Sequence, residues 1–144
     1  DIGKIGIAER ILHKPGRLDQ DEHDAIKHHP VIGEAIIRPL KGLGDIARII
    51  RGHHERYDGL GYPDRLAGEG IPLEARIIAI ADSYDAMTTT RPYRIPLQES
   101  AVVRELLENR GKQFDPYLVE SFLKLRETNA IPRSTSPLIC LPQA

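Results

Sequence analysis

Apolar residues recur at helical spacing along most of the chain, and no segment shows the two-residue alternation of a β-strand. Asp19 and Glu22 have the Asp-x-x-Glu spacing of a capping box, which predicts a helix that begins there and ends near His28. Pro30 interrupts this pattern, so a second, short helix is predicted over residues 31–38. The pattern predicts an all-α fold.

The next helix places two neighbouring histidines at its end. It begins near Leu43, and its apolar positions keep helical spacing up to Ile50. His53 and His54 extend the same series by one turn. We therefore expect both imidazoles to point toward the core.

The remainder of the chain predicts a long loop and three further helices. Residues 57–70 are rich in glycine, and their length favours a functional loop over a simple connection. Helices are predicted over residues 72–87, 96–109 and 115–126, the last with Asp115 as its N-cap. The buried face of the first of these is predicted to comprise Ala75, Ile78, Ala79, Asp82 and Ala86.

Composition excludes several classes of function. The 144 residues suffice for one domain, and a net charge of −1 provides no global basic field for DNA or RNA. The single cysteine, Cys140, allows neither a disulfide framework nor a thiolate metal site, which fits a cytoplasmic protein. No apolar run is long enough to span a membrane, so no membrane contact is expected from this segment.

Histidines and an acid in apolar surroundings indicate a metal site. His29, His53 and His54 stand at predicted helix ends, and Asp82 lies within an otherwise apolar helical stretch. Nitrogen and oxygen donors without sulfur suit iron, manganese, nickel or zinc in an open catalytic site. Neighbouring residues of a helix diverge by about 100°, so His53 and His54 are expected to serve two metals, or one metal and a substrate.

Each of these residues also has a plain structural interpretation. His29 alone could interact with a helix dipole, Asp82 could pair with Arg76 or Arg91, and Arg91 with Arg94 could form an exposed cationic turn. The histidines expected to be exposed are His13, His23 and His28. The combination in one chain is what favours the metal site.

Several longer segments together resemble the HD-GYP family, a branch of the HD-domain metal-dependent phosphohydrolases. The central segment is HHERYDGLGYP at residues 53–63, followed by ADSYDAMT at 81–88 and RPYR at 91–94. DIGKIG at residues 1–6, KPG at 14–16, His29-Pro30-x-x-Gly33 and GKQFDP at 111–116 also match. The resemblance covers residues 1–123 and implies an HD-domain-like helical bundle with a long GYP loop.

The resemblance implies a bacterial signal-transduction hydrolase. The expected activity is that of a phosphodiesterase that hydrolyses cyclic di-GMP to pGpG, GMP or both, at two or three divalent metal ions. Iron or manganese is expected before nickel or zinc. Two alternatives stay open: a catalytically impaired module that binds cyclic di-GMP or docks a GGDEF cyclase domain, and a phosphohydrolase of another cyclic dinucleotide.

The family's functional residues correspond to positions of this sequence. The implied metal ligands are Asp1, His29, His53, His54 and Asp82. Asp1 would bridge metals and Lys4 would contact the scissile phosphate, so both are expected to be catalytic. Tyr62 would border the substrate pocket, in a loop also expected to dock GGDEF domains. Arg91 and Arg94 would hold a phosphate or guanine of the substrate.

The chain departs from the family pattern at three points. The histidine that precedes the family's aspartate is absent before Asp1, as are upstream helices that provide a further glutamate and histidine. We therefore expect an HD-GYP domain over residues 1–126 that lacks its N-terminal part, an irregular tail over 127–144, and a regulatory domain upstream in the parent protein. Arg65 replaces a usual glycine, which is expected to alter the loop, and Ala8 replaces a common proline.

Overall fold

A computed structural model describes residues 1–90 and 95–128, and this part of the chain is helical. Its α-helices are α1 (Glu9–Leu12), α2 (Gln20–Lys27), α3 (His29–Ile37), α4 (Gly44–Gly52), α5 (Leu73–Thr88), α6 (Glu99–Glu108) and α7 (Pro116–Glu127), with 3-10 turns at Ile2–Gly6 and Gly68–Gly70. Strand-like pairing in this part is limited to two isolated bridges. The all-α prediction is confirmed. Within the described residues, no helix has the length and apolarity needed to cross a bilayer.

The capping signals of the sequence are confirmed at two helix ends. The Asp19 carboxylate accepts a hydrogen bond from the Glu22 amide, and the Glu22 carboxylate accepts one from the Asp19 amide. Asp115 accepts hydrogen bonds from the amides of Tyr117 and Leu118 at the start of α7. These contacts satisfy amides that lack partners within a helix.

Two predicted helix boundaries were wrong near the histidines. Helix α3 begins at His29 rather than Val31, because Pro30 occupies the first turn, where no amide hydrogen is needed. His29 therefore opens a helix instead of ending one. Helix α4 ends at Gly52, so His53 is its C-cap and His54 lies beyond it.

The apolar core lies between α5, α6 and α7. Its buried members are Ile80, Val102, Leu106, Phe114 and Val119. The predicted buried face of α5 was wrong at Ile78, which is 40% exposed, whereas Ile80 is 2% exposed. Residues two positions apart on a helix point about 200° apart, so only one of this pair can face α6 and α7.

The glycine-rich loop is held against the connection between α6 and α7. The amides of Tyr57 and Asp58 donate to the carbonyl oxygens of Gln113 (3.2 Å) and Lys112 (2.8 Å). Asp58 also forms an isolated bridge with Ala67 across the loop. These bonds join the loop to the part of the domain that contains the apolar core.

Arg65 adopts a left-handed backbone conformation with φ of 56°. Among the described residues it is the one non-glycine position with positive φ. The replacement of the family's usual glycine therefore places a side chain where the backbone favours glycine.

We expect Arg65→Gly to raise the free energy of unfolding by about 0.5–1 kcal/mol. The free energy gained when glycine replaces a strained left-handed residue exceeds the free energy lost because glycine has more conformational entropy in the unfolded chain. Urea unfolding would measure the change, with Arg65→Ala as the matched control because it removes the same side chain without relieving the backbone. An equal effect of both substitutions would show that the side chain, not the backbone conformation, decides stability here.

Candidate metal centre

A close backbone contact places the first residues of the chain against α3. A Cβ atom on Gly3 would lie 1.9 Å from the His29 carbonyl oxygen and 2.5 Å from the Gly33 amide nitrogen. No side chain can occupy that space, so only glycine lets the 3-10 turn approach this closely. The contact brings Asp1 and Lys4 beside His29.

Four side chains converge where this turn, α3 and the end of α4 meet. One donor atom from each of Asp1, His29, His53 and His54 lies within 4.8 Å of the donor atoms of the other three. His29 is buried, and the side chain of His53 is 10% exposed. The structure thus brings together four of the five residues that the resemblance implied as ligands.

Backbone carbonyls fix the orientation of two of the imidazoles. His29 Nδ1 lies 2.7 Å from the Ile26 carbonyl oxygen, and His53 Nδ1 lies 2.5 Å from the Ile50 carbonyl oxygen. A carbonyl oxygen only accepts, so each Nδ1 must carry the hydrogen and donate it. In the neutral ring, Nε2 then presents a lone pair, the arrangement that orients histidine ligands in metal sites.

The two lone pairs face each other and a carboxylate. The Nε2 atoms of His29 and His53 are 3.3 Å apart, and Asp1 Oδ1 lies 3.4 Å and 3.9 Å from them. Two unprotonated nitrogens cannot hydrogen-bond to each other, so a bound cation would stabilise this arrangement. Two nitrogens bound to one ion at about 2.1 Å lie about 3.0–3.4 Å apart for angles of about 90–109°. The donors therefore fit a metal ion.

His54 contacts the rings of His29, His53 and Tyr62. Its ring centroid is 4.1 Å from that of His53, and the Tyr62 ring stacks on it at 4.9 Å and 23°. The expected divergence of His53 and His54 does not occur, because α4 ends at Gly52 and the chain turns after it. Both imidazoles instead contribute to one group of donors.

Burial keeps the histidines neutral. Loss of hydration lowers the pKa of His53 to about 4 and that of His54 to about 2, with neighbouring imidazoles contributing in the same direction. The pKa of His29 is also lowered by burial. Burial and the charge of Asp82 raise the pKa of Tyr62 to about 12. The imidazoles therefore offer lone pairs to a metal at neutral pH without first losing a proton.

Lys4 places a buried positive charge beside the cluster. It is 8% exposed, and its Nζ lies 3.0 Å from Asp1 Oδ2. The Asp1 carboxylate thus faces Lys4 with one oxygen and the imidazoles with the other. An ammonium group beside a cation site is well placed to meet an anionic ligand.

Asp82 lies near the cluster without belonging to the four-residue group. It is half-buried on α5, and its charge raises the pKa of Tyr62 and partly offsets the lowering at His53. The alternative partner Arg76 is engaged elsewhere, since its Nη1 donates to Asp115 at 2.5 Å. The assignment of Asp82 as a ligand stays a prediction. Arg91 and Arg94 lie outside the described residues.

Two residues that hold the loop against the cluster, Glu55 and Arg51, were not predicted from the sequence. The Glu55 carboxylate is buried and accepts hydrogen bonds from the amides of Asp64 and Leu66. Arg51 donates to Glu34 on α3 and to both carboxylate oxygens of Asp64. The sequence offered one signal for this role. Glu55 directly follows His53 and His54 and precedes a glycine-rich loop, whose backbone amides need hydrogen-bond acceptors.

Comparison with known proteins places this geometry in a family. The sequence model of the HD domain family matches residues 1–118. The chain is 45% identical over 128 residues to the cyclic di-GMP phosphodiesterase response regulator RpfG of Xanthomonas campestris pv. campestris, covering 88% of this chain and 34% of that protein. It is 46% identical over 131 residues to a cyclic di-GMP phosphodiesterase of Thermotoga maritima, covering 88% and 35%.

Other similar proteins act on a different dinucleotide. The 3'3'-cGAMP-specific phosphodiesterase 2 of Vibrio cholerae is 42% identical over 126 residues, covering 86% of this chain and 24% of that protein. The crystal structure of a cyclic GMP-AMP-specific phosphodiesterase of V. cholerae, V-cGAP3, matches with a TM-score of 0.65 and 25% identity over 88% of this chain and 31% of that one. The chain spans about a third of the length of the first two relatives.

We expect Gly3→Ala to weaken Mn²⁺ binding by about 10-fold or more, because the new methyl group displaces Asp1 from the imidazoles. Titration calorimetry would measure the affinity. Gly44→Ala is the matched control, since a Cβ there meets nothing within 4 Å. Unchanged affinity in Gly3→Ala would show that the turn does not position a ligand.

Without metal, the free energy of unfolding should fall as the pH falls below 6.5. In the window between 6.5 and about 4, the unfolded chain protonates His53 and His54 while the folded chain keeps them neutral. The unfolded state therefore binds more protons, and stability decreases toward acid by up to about 1.4 kcal/mol per pH unit for each imidazole.

Urea unfolding in a chelator, at several pH values across this window, would measure that slope. We expect a shallower slope in His54→Gln, which lacks one such imidazole. His23→Gln, at an exposed position, should keep the slope of the unsubstituted chain. Equal slopes in all three proteins would contradict the assignment to the buried histidines.

Proposed function

The chain belongs to the HD domain family, in its HD-GYP branch, and from this premise we propose that it is a metal-dependent phosphodiesterase that hydrolyses cyclic di-GMP. The observation that carries the proposal is the group of lone-pair donors at Asp1, His29, His53 and His54, whose spacing fits a metal ion. The names of two similar proteins, both cyclic di-GMP phosphodiesterases, support the choice of substrate.

The residues of the cluster would bind the metal with their imidazoles neutral. Asp1, His29, His53 and His54 would bind it, and Asp82 would join them if a second or third ion is present. We propose iron or manganese, which the HD-GYP resemblance implies before nickel or zinc; nitrogen and oxygen donors without sulfur suit all four. A divalent ion in such a site lowers the pKa of water and offsets negative charge on phosphoryl oxygens.

The surrounding side chains would bind and orient the phosphodiester. Lys4, buried beside Asp1, would donate hydrogen bonds to a non-bridging oxygen of the scissile phosphate. Tyr62, stacked on His54, would form a wall of the pocket and exclude water from one side of the cluster. Arg91 and Arg94 would provide further positive charge for the second phosphate or a guanine. No protein nucleophile is required in this scheme.

A second candidate substrate is 3'3'-cGAMP. The chain is 42% identical to a V. cholerae phosphodiesterase named as specific for it, close to its identity with the cyclic di-GMP enzymes. The fold also resembles the solved structure of another cyclic GMP-AMP-specific phosphodiesterase. The two dinucleotides differ in one base, so residues that contact the bases must distinguish them.

The loop supports a further proposal on partners. Leu60 at its tip is 76% exposed, and we propose that residues 57–70 dock GGDEF-type cyclase domains. A module that docks such a domain or binds cyclic di-GMP without turnover is the alternative to catalysis. We also propose that the protein acts in the cytoplasm, under the control of a regulatory domain upstream of residue 1.

Hydrolysis of cyclic di-GMP with added Mn²⁺, or with Fe²⁺ under anaerobic conditions, tests the enzyme proposal. We expect turnover to fall by more than about 100-fold in His53→Ala. Loss of a residue that only hydrogen-bonds a metal ligand lowers activity by about 10–100-fold, and loss of the ligand itself should lower it further. His23→Ala removes an exposed imidazole and should retain activity. Parallel assays with 3'3'-cGAMP would identify the preferred dinucleotide.

Two outcomes would contradict the proposal. Turnover that survives His53→Ala would place the chemistry elsewhere. A folded chain that binds Mn²⁺ and cyclic di-GMP without hydrolysing it would favour the binding module.

A further inference from the structure

We propose that Glu55 is a positioning residue whose carboxylate holds the loop so that Tyr62 lies flat on His54. The inference rests on the proposed function, because it concerns the same metal centre. It goes beyond that function by assigning a role to a buried acid that is not a ligand in the four-residue group.

Both oxygens of the Glu55 carboxylate are used by the loop. Oε1 accepts a hydrogen bond from the Asp64 amide at 2.7 Å, and Oε2 accepts one from the Leu66 amide at 3.1 Å. Glu55 is 4% exposed, so these charge-assisted bonds are shielded from water. A carboxylate only accepts hydrogen bonds, which suits the backbone amides that face it.

The loop segment that Glu55 holds is the one that presents Tyr62. Gly61 lies directly on the backbone of residues 55 and 56, since a Cβ there would be 2.3 Å from the Arg56 nitrogen. The Tyr62 amide donates to the His54 carbonyl at 3.3 Å. Tyr62 is therefore fixed on one side by the His54 backbone and, two residues later, by Glu55.

The position of Tyr62 determines the orientation of His54. The rings of His29 and His53 are each oriented by a backbone carbonyl through Nδ1. The His54 ring contacts the rings of His53 and His29 within the donor group and, outside that group, the stacked Tyr62 ring at 4.9 Å and 23°. A loop that lifts away would free the His54 ring to rotate out of the donor group.

A second anchor of the same loop provides the comparison. Arg51 donates to both oxygens of the Asp64 side chain at 2.6 Å and 2.7 Å. This pair is about one third exposed, so water and salt weaken it, whereas Glu55 is buried. Asp64→Asn would remove the ion pair and one of the two hydrogen bonds of the outer anchor, and it would leave the backbone amide of residue 64 on Glu55.

The experiment compares Glu55→Gln with Asp64→Asn in the full chain. Glutamine keeps the shape of glutamate but turns an NH₂ group toward an amide donor, so one of the two contacts is lost. We expect amide exchange at residues 64 and 66 to rise by about 10-fold in Glu55→Gln and by less than about 3-fold in Asp64→Asn. The nuclear Overhauser contact between the Tyr62 and His54 rings should weaken in Glu55→Gln alone.

Metal affinity provides the functional readout. Loss of a partner that orients a ligand weakens metal binding by about 10-fold or more, which we expect for Mn²⁺ in Glu55→Gln. Tyr62→Leu should weaken Mn²⁺ binding without raising amide exchange at residues 64 and 66. Tyr62→Phe keeps the aromatic ring and should retain the Mn²⁺ affinity of the unsubstituted chain. These two variants test the pathway even if Glu55→Gln does not fold.

Distinct results would overturn the inference and the proposed function. An unchanged ring contact in Glu55→Gln, or equal effects of Tyr62→Leu and Tyr62→Phe, would overturn the role of Glu55. A chain that shows the expected exchange and ring contacts but hydrolyses neither dinucleotide would instead overturn the proposed function and leave the positioning role in place.

Discussion

The mutual approach of unprotonated imidazole nitrogens is the constraint on which this structure depends. His29 Nε2 and His53 Nε2 lie 3.3 Å apart with Asp1 beside them. The Nδ1 atom of each ring donates to a backbone carbonyl, which directs Nε2 toward the cluster. Without a cation, three acceptors face one another with no hydrogen to share. The surrounding contacts oppose this repulsion, and an ion would convert it into attraction.

Close backbone contacts and ion pairs together hold the donors in place. Gly3 allows the first turn of the chain to lie on α3, and Gly61 allows the loop to lie on the residues after His54. Arg51 then joins α3, α4 and the loop through Glu34 and Asp64. Three segments that are distant in sequence are thereby fixed around one point, which is what a preorganised site requires.

The features that the sequence predicted well were those decided locally. The caps at Asp19 and Asp115 and the all-α class follow from spacing within one segment. The start of α3 was missed because Pro30 suits both the end of one helix and the first turn of the next. The burial of Glu55 depends on where residues 64–66 return to it, and the convergence of His53 with His54 depends on the end of α4 at Gly52; periodicity within one helix reports neither.

The distribution of buried groups divides the domain into two regions of different cohesion. The apolar cluster lies on α5, α6, α7 and the connection before α7, whereas the buried groups of residues 1–56 include Lys4, His29, Glu34 and Glu55. The first region is stabilised mainly by exclusion of water, whereas residues 1–56 add buried charges and a metal-dependent contribution to their own apolar contacts at Ile11, Ile26 and Ala47. Removal of metal would therefore weaken mainly the end of the domain that contains Asp1, His29, His53 and His54, whereas the apolar cluster would respond mainly to temperature.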